Sequence, residues 1–379
     1  MTLVEFASAI STHPVASIAV GEVCGAILEK MNCEIDFALI ATTPTNLGIL
    51  EDIARAVQEV LRPLRSAAVC SQLVPGNATE SAPGPTISLW CSSGSTHIAP
   101  IHLSHQKLTP TGESNCLDES ELGFVPRTAL VIADNATFNY LKFANIVKQR
   151  LPTMDITGGY ITPAANPVLP SLWLGTSPLH EGALCIVIGQ DIATETISVS
   201  SCSQLGPPLV VTKSSNNEIH QIAGQRASDR LRIISQLTSL SVDHDSIEIG
   251  LLHETTGSHY RDEDFIARPI IGINPSDGSI TTTQHVPVGT VVSFQKRSQS
   301  TANSRLSNRL TKSEGRAAIT FSSSNQTFDS LGNRFISARL VEEALGSIPL
   351  IGISVLGEFG QINYDNVVHN FTDTTVLFK

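Results

Sequence analysis

The chain has 379 residues, enough for two domains or one large compound one. Hydrophobic residues make up 41% and charged residues 16%, which excludes a disordered or fibrous chain, and with aromatics at only 5% the core must be filled by aliphatic side chains and Ala. Twenty-four Lys and Arg against 35 Asp and Glu leave a net charge of −11, which works against nucleic-acid backbones and anionic membrane surfaces as partners.

Between Val15 and Lys30, Ile18, Val20, Val23, Ala26 and Ile27 recur at helical spacing. The pattern then predicts a strand over 35–40, cap and turn chemistry at Thr43-Pro44-Thr45-Asn46, and a helix over 50–61 stopped by Arg62-Pro63. Strands over 66–70 and 86–90 follow. The same order returns as a strand over 128–132, a polar turn at Asp134-Asn135 and a helix over 138–150. A strand over 155–159 that finishes on glycines and another over 182–188 complete this second copy. A third copy predicts strands over 317–321, 350–354 and 372–378 around a helix over 336–344. A strand–helix–strand crossover of this length is normally parallel and right-handed.

Between the second and third copies the chain is strand-rich, with β-branched or alternating runs at 192–200, 208–212, 218–222, 246–252 and 290–294 and a helix candidate over 227–240. The expected fold class is α/β with mixed (α+β) sheets. It is a two-domain layered sandwich with helices outside central sheets, built from three strand–helix–strand units and a strand-rich insertion. The expected parts are an N-terminal helical lead over 1–35, a first domain over 36–214 and a second over 215–379, divided near Ser214-Ser215-Asn216-Asn217.

The seven cysteines, at 24, 33, 70, 91, 116, 185 and 202, stand singly, which fits neither a disulfide framework nor a structural zinc site. Residues Met1 to Phe6 lack a basic signal-peptide start, and no apolar run reaches the roughly 18–20 residues of a membrane span. The expectation is a reduced, cytoplasmic protein. No phosphate-cradling glycine loop and no Gly-x-Ser-x-Gly elbow occur. Ser322-Ser323-Ser324 follows a strand but reads as a capped turn. His97 and His102 fall on opposite faces of a strand, with His105 on the face of His97, so they do not converge on a metal. The basic cluster Lys296, Arg297, Arg305, Arg309, Lys312 and Arg316 reads either as a receiver for an acidic partner or as a solvated helix face.

Two segments stand out. Tyr260-Arg261-Asp262-Glu263-Asp264-Phe265 runs on to Arg268-Pro269 and sets five charges beside the apolar Ile270-Ile271-Gly272-Ile273, either paired structurally or rimming a pocket. Gly357-Glu358-Phe359-Gly360 places a lone carboxylate between glycines at a strand's carboxyl end, where open α/β sheets hold ligands and where glycine allows close backbone approach. His369 follows on the return to the last strand, and Glu358 and His369 can meet there as ligand groups or as a structural ion pair.

These segments resemble the FIST family, the paired FIST-N and FIST-C domains of bacterial sensory proteins and of an F-box ubiquitin-ligase adaptor. The similarity rests on Arg261-x-x-Asp264-Phe265, Arg268-Pro269-Ile270-Ile271-Gly272 and Pro275-x-x-Gly278, then on Val286-Pro287-x-Gly289. It continues through Pro349 to Gly352, Gly357-Glu358-Phe359-Gly360 and His369-Asn370-Phe371-Thr372, and upstream through Gly182 and Gly206-Pro207-Pro208 to Lys213. The resemblance implies intracellular sensing of a small, amino-acid-like ligand, or service as a protein-recognition module, with no established catalysis and no cofactor. Where the family has a Cys followed by a Gly-Arg-Gly turn, this chain has Ser322-Ser323-Ser324-Asn325-Gln326. The family's Gly-Cys-Ser becomes Val69-Cys70-Ser71, and its His-Gly-Tyr-Thr becomes His369-Asn370-Phe371-Thr372. An F-box needs about three helices, whereas the first 35 residues hold one.

On this reading a pocket at the junction of two domains binds a carboxylate or zwitterion. Arg268 supplies a forked ion pair, Glu358 accepts from an amine, and His369, Asp264, Gly357, Gly360, Ser323 and Asn325 complete the surroundings. No catalytic residue and no metal is expected, because an enzyme using Ser322 to Ser324 or Cys70 lacks a recognisable nucleophile–base spacing. The rival reading is a protein-recognition module with a degenerate pocket.

Overall fold

The computed structural model describes residues 4–72, 74–76, 84–104, 117–161, 169–237, 247–253, 260–323, 336–362 and 365–379. Each of the three units adopts one four-strand pattern, in the order leading strand, return strand, first strand, second strand. In the first unit these are Glu5–Ser11, Ile87–Ser93, Phe37–Thr42 and Arg65–Cys70, with helix Leu50–Leu61 as the crossover. In the second they are Ile98–Leu103, Ala183–Gly189, Pro126–Asp134 and Asp155–Ile161, crossed by helix Tyr140–Arg150. In the third they are Thr194–Ser200, Thr372–Phe378, Ala317–Ser323 and Leu350–Ile362, crossed by helix Ile336–Leu345. First and second strands are parallel in every copy, and the return strand is antiparallel, as the crossover spacing predicts.

The first unit, extended by the short strands Leu172–Leu174 and Ser177–Leu179, forms a six-stranded sheet. The second and third units join through their second strands, which run antiparallel, into a nine-stranded sheet. The sheets pack face to face. Phe37, Leu39, Ala41 and Trp90 of one share a core with Ile319, Phe321, Ile351 and Ile353 of the other, while Ala38 and Ile40 turn outward to helices Ala16–Lys30 and Leu50–Leu61. Helix Tyr140–Arg150 covers the outer side of the nine-stranded sheet over its second-unit strands, and helices Gln299–Leu310 and Ile336–Leu345 cover it over the third. The result is helix–sheet–sheet–helix layering. Strands covered on both faces read as continuous apolar runs, which is why Val, Ile, Leu and Ala suffice. Each large side chain so buried contributes about 1.5–3 kcal/mol before entropy costs.

The insertion folds as a closed ring. Cys202–Ser215 pairs with Val291–Arg297 on one side and Glu218–Ile222 on the other, and Ile247–Leu252, Phe265–Ile273 and Ile280–Thr282 complete the circuit. Ile219, Ile249, Phe294 and Val292 fill it, with Ala227, Leu231 and Ile234 of helix Ala227–Leu237 packed into the same core.

Two expectations change. The strands do not end on their glycines: one runs from Asp155 to Ile161, the other from Leu350 to Ile362. Gly158 has φ +135, and a Cβ there would lie 2.0 Å from the Val131 carbonyl oxygen, so the glycine marks close backbone approach within a strand and not its end. Strand Glu5–Ser11, ahead of the N-terminal helix, is an edge of the six-stranded sheet that the apolar periodicity did not reveal. Among the described residues no helix is long and apolar enough to cross a membrane.

Candidate functional site

The edge of Leu350–Ile362 is shared. Ala317–Ser323 occupies it as far as Val355, and Asp365–His369 takes over the same track from Glu358 onward. Ser323 is paired with Val355 at the carboxyl end of the third unit's first strand and stands near Glu358. Gly159 lies opposite Glu358 on the other edge.

Glu358 is fully buried, and among the described residues neither carboxyl oxygen makes a well-aligned hydrogen bond. Burial first, and the Asp373 carboxylate second, raise it well above the usual carboxylate range, offset in part by its own amide, the Thr372 amide and the nearby Ser323 hydroxyl. The site therefore favours the protonated acid. His369 is the direct cross-strand partner of Glu358. Its ring leans over Gly360, where a Cβ would sit 3.1 Å from Nε2. Burial, then the charge of Arg268, then that of His253, lower the imidazole to about 4. Both groups resist charging, which favours a neutral acid beside a neutral imidazole over an ion pair.

Arg268 stands on the ring strand Phe265–Ile273 and reaches across to the sheet. Its Nη2 donates to the Val368 carbonyl at 3.0 Å, Nη1 to its neighbour Ala267 at 3.0 Å, and Nε to Gln284 Oε1 at 2.5 Å. Among the described residues no carboxylate pairs with it, and burial lowers its pKa to about 10, still cationic at neutral pH. The fork expected for a ligand is committed to carbonyls and fastens the ring to the strand that carries His369. Asp264 caps a short helical turn, accepting from the Arg261 amide at 2.8 Å. Gly357 packs against Val368, and Ser323 is buried beside Glu358. Thus Glu358, His369, Arg268, Gly357, Gly360 and Ser323 come together, whereas the Asp264 carboxylate is occupied elsewhere. Asn325 lies outside the described residues, as do Ser324 and His105.

The charge-rich segment before Phe265 is largely structural. Asp262 accepts from the Gln204 amide at 3.0 Å and pairs with Arg305, whose Nη1 also donates to the Ser200 and Cys202 carbonyls at 2.8 Å. Arg297 lies 4.7 Å over the Phe371 ring, and Arg316 donates to the Val4 carbonyl. Half of the basic cluster is thereby absorbed into the fold.

A cleft of about 350 Å³ opens between the nine-stranded sheet and the ring. Its walls include His369 and Gly360 of the seam, Thr196 and Ser198 of the third unit's leading strand, Phe265 and Ala267 of the ring, and, at opposite signs of charge, Arg309 and Asp155. Among the described residues neither the Arg309 guanidinium nor the Asp155 carboxylate makes a hydrogen bond or ion pair. Sequence reasoning missed Asp155 and the hydroxyl row and left Arg309 within a charge cluster. The alternation Thr194, Thr196, Ser198, Ser200 is the signal that was available, since period two puts all four on one strand face.

Two family models match the chain: one described as the FIST N domain over residues 21–225, the other as the FIST C domain over residues 231–361. The chain is 24% identical over 384 residues to an uncharacterised protein of Mycobacterium bovis, covering 97% of each, and equally to an uncharacterised protein of Mycobacterium tuberculosis. A second Mycobacterium tuberculosis protein, also uncharacterised, is 24% identical over 344 residues, covering 86% of this chain and 87% of the relative.

Proposed function

Because the chain belongs to the FIST family, whose domains fit sensory signal transduction, we propose that it binds a small carboxylate or amino-acid-like molecule inside the cell, and that its cleft works by binding and not by catalysis. One observation carries this reading: a polar cleft between sheet and ring holds a guanidinium and a carboxylate that make no hydrogen bond or ion pair among the described residues, the Arg309 charge acting only at longer range on Glu195. Arg309 takes the ligand carboxylate through its forked donors, Asp155 accepts from an ammonium group, and the Thr196 and Ser198 hydroxyls satisfy what remains. Arg268 and Glu358 shape the wall and do not touch the ligand. Arg268 holds the His369 strand to the ring, so a ligand bridging the cleft would bias the relation between the two parts.

Calorimetric titration of the full chain with the common amino acids and a set of dicarboxylates tests it. A ligand in the micromolar range is expected, weakened ten- to a hundredfold by Arg309→Ala, the loss that a charged hydrogen bond of about 1.5–3 kcal/mol gives. Asp155→Asn should weaken amino acids and spare their deaminated analogues. No binding by any compound, or binding indifferent to Arg309→Ala, overturns the reading and leaves protein recognition as the alternative.

A further inference from the structure

A second array lies on the ring, and none of its members lines the cleft. Ser215 closes the strand Cys202–Ser215, and His220 sits on the partner strand across the two-residue turn Asn216-Asn217. The hairpin brings Ser215 Oγ to 2.7 Å from His220 Nε2. On the opposite ring nitrogen, Nδ1 faces Asp277 Oδ2 at 3.8 Å. Asp277 is held for that task. Its Oδ1 accepts from the Ser279 amide at 2.9 Å and the Ser279 hydroxyl at 2.8 Å, which leaves Oδ2 to face the imidazole. At 3.8 Å the contact is one of charge and not a hydrogen bond; in the Nδ1–H tautomer Asp277 faces the ring's proton and Nε2 is the proton acceptor towards Ser215.

The turn is pinned as well. The Asn216 carbonyl is met by His285 Nδ1 at 2.5 Å and by the Val286 amide at 3.3 Å. A trans peptide then aims the Asn217 N–H the other way. Among the described residues neither the Asn216 nor the Asn217 amide has an acceptor, so the residue after Ser215 offers a free donor.

We infer that Ser215, His220 and Asp277 form a nucleophile, base and orienting carboxylate that transfer acyl groups from small, unhindered carboxylic esters to Ser215 and on to water. Openness sets the substrate class: Ser215 is exposed and His220 and Asp277 are 24% and 49% exposed, so nothing walls in a large acyl group. In the first step His220 Nε2 takes the Ser215 proton as Oγ bonds to the ester carbonyl carbon. The tetrahedral oxyanion then collapses, the bond to the alkoxy oxygen breaks, and the alcohol departs with the proton from His220. Water, deprotonated by His220, repeats the attack and releases the carboxylic acid with Ser215 restored.

The test treats the full chain with a fluorophosphonate, which bonds to Oγ through phosphorus and expels fluoride with the hydroxyl proton, and reads intact mass. One adduct is expected, mapping to Ser215, absent in Ser215→Ala and formed at least a hundredfold more slowly in His220→Ala. Asp277 is a positioning residue. Asp277→Asn should slow labelling about tenfold, and Asp277→Glu should restore part of the rate, as a role in holding the ring requires. Glu218, whose Oε2 lies 3.9 Å from His220 Nε2, is the other charge facing the ring, and Glu218→Gln should still label. No adduct on the native chain, an adduct that survives Ser215→Ala, or equal rates with and without His220 overturns the assignment. Cleft binding measured on Ser215→Ala should be unchanged, so failure here is separable from failure of the ligand reading.

Discussion

Among the described residues two glutamates are buried, and their surroundings handle them in opposite ways. On the ring, Glu248 lies 3.9 Å from Arg297, and its carboxyl rises only to about 7: burial raises it, while Arg297 and the Ile270 amide hold it down. At the seam of the nine-stranded sheet, Glu358 is also buried but has the Asp373 carboxylate as its charged neighbour, and it rises well above the usual range. Burial is common to both; pairing is what differs. A paired buried acid belongs to the architecture of the ring. An acid kept neutral beside a neutral imidazole, one strand from an open cleft, is a polar group that the fold tolerates and does not need for its own bonding.

The backbone around the two acids differs as much, and here the largest effect is expected. Gly158, which pairs with Phe359 next to Glu358, would put a Cβ 2.0 Å from a carbonyl oxygen at a φ that side chains avoid. Gly250, two residues from Glu248, would meet only the side chain of Gln295, at 2.7 Å. Gly158→Ala should cost roughly 3–5 kcal/mol and Gly250→Ala about 1–2 kcal/mol, since a backbone cannot step aside and a side chain can. Urea unfolding midpoints measure both. Equal losses would mean that seam and ring are not distinguished by backbone approach.

That comparison also shows what the sequence could and could not disclose. The three units were legible because strands buried on both faces must be apolar throughout, and because near-constant spacing between first and second strands repeats one crossover. The seam was half legible. Glu358 and His369 stand out as a carboxylate between glycines and a histidine on the return, but their protonation depends on Asp373, on Arg268 from the ring, and on Ser323 of the neighbouring strand. Arg268 stands beside the seam, and only the fold shows its donors bonded to Gln284, Ala267 and Val368. The reverse holds for Arg309. In sequence it is one cation of a cluster, and its freedom appears only once Arg305 is seen to be bound to Asp262, Ser200 and Cys202. Ser215, His220 and Asp277 carry no signature at all, since a tight turn and a neighbouring strand bring them together.

Removing the ring's cation should convert the first kind of burial into the second. Arg297→Met is expected to cost about 3 kcal/mol at pH 8, the usual result of stranding one member of a buried pair. Glu248 in the folded chain already binds its proton more tightly than an ordinary carboxylate, so folding stability falls as pH climbs from about 4.5 towards 7. Without Arg297 that fall extends to higher pH. The penalty should therefore shrink at pH 5, where the folded form holds the proton with or without Arg297. What survives at pH 5 is the loss of the contact with Phe371. Thermal melts at the two pH values decide it, and a penalty independent of pH would show that the Glu248 contact contributes little.

The smallest expected effect is the most direct reading of the seam. Because the folded Glu358 is raised, its contribution to stability is fully present below the ordinary carboxylate pKa and is lost as pH rises through the folded value. His369 works at the other end. Lowered to about 4 from an ordinary value near 6.5, it contributes stability above that ordinary value and loses it as pH falls through 4. Glu358→Gln keeps the shape, removes the titration, and should leave the acid-side loss from His369 intact. The variant is thus expected to stay within about 1 kcal/mol of the native chain at pH 5 and to gain on it steadily as pH rises towards 9. A difference that is flat with pH would mean that Glu358 has found a partner, and the contrast with Glu248 would then be one of degree.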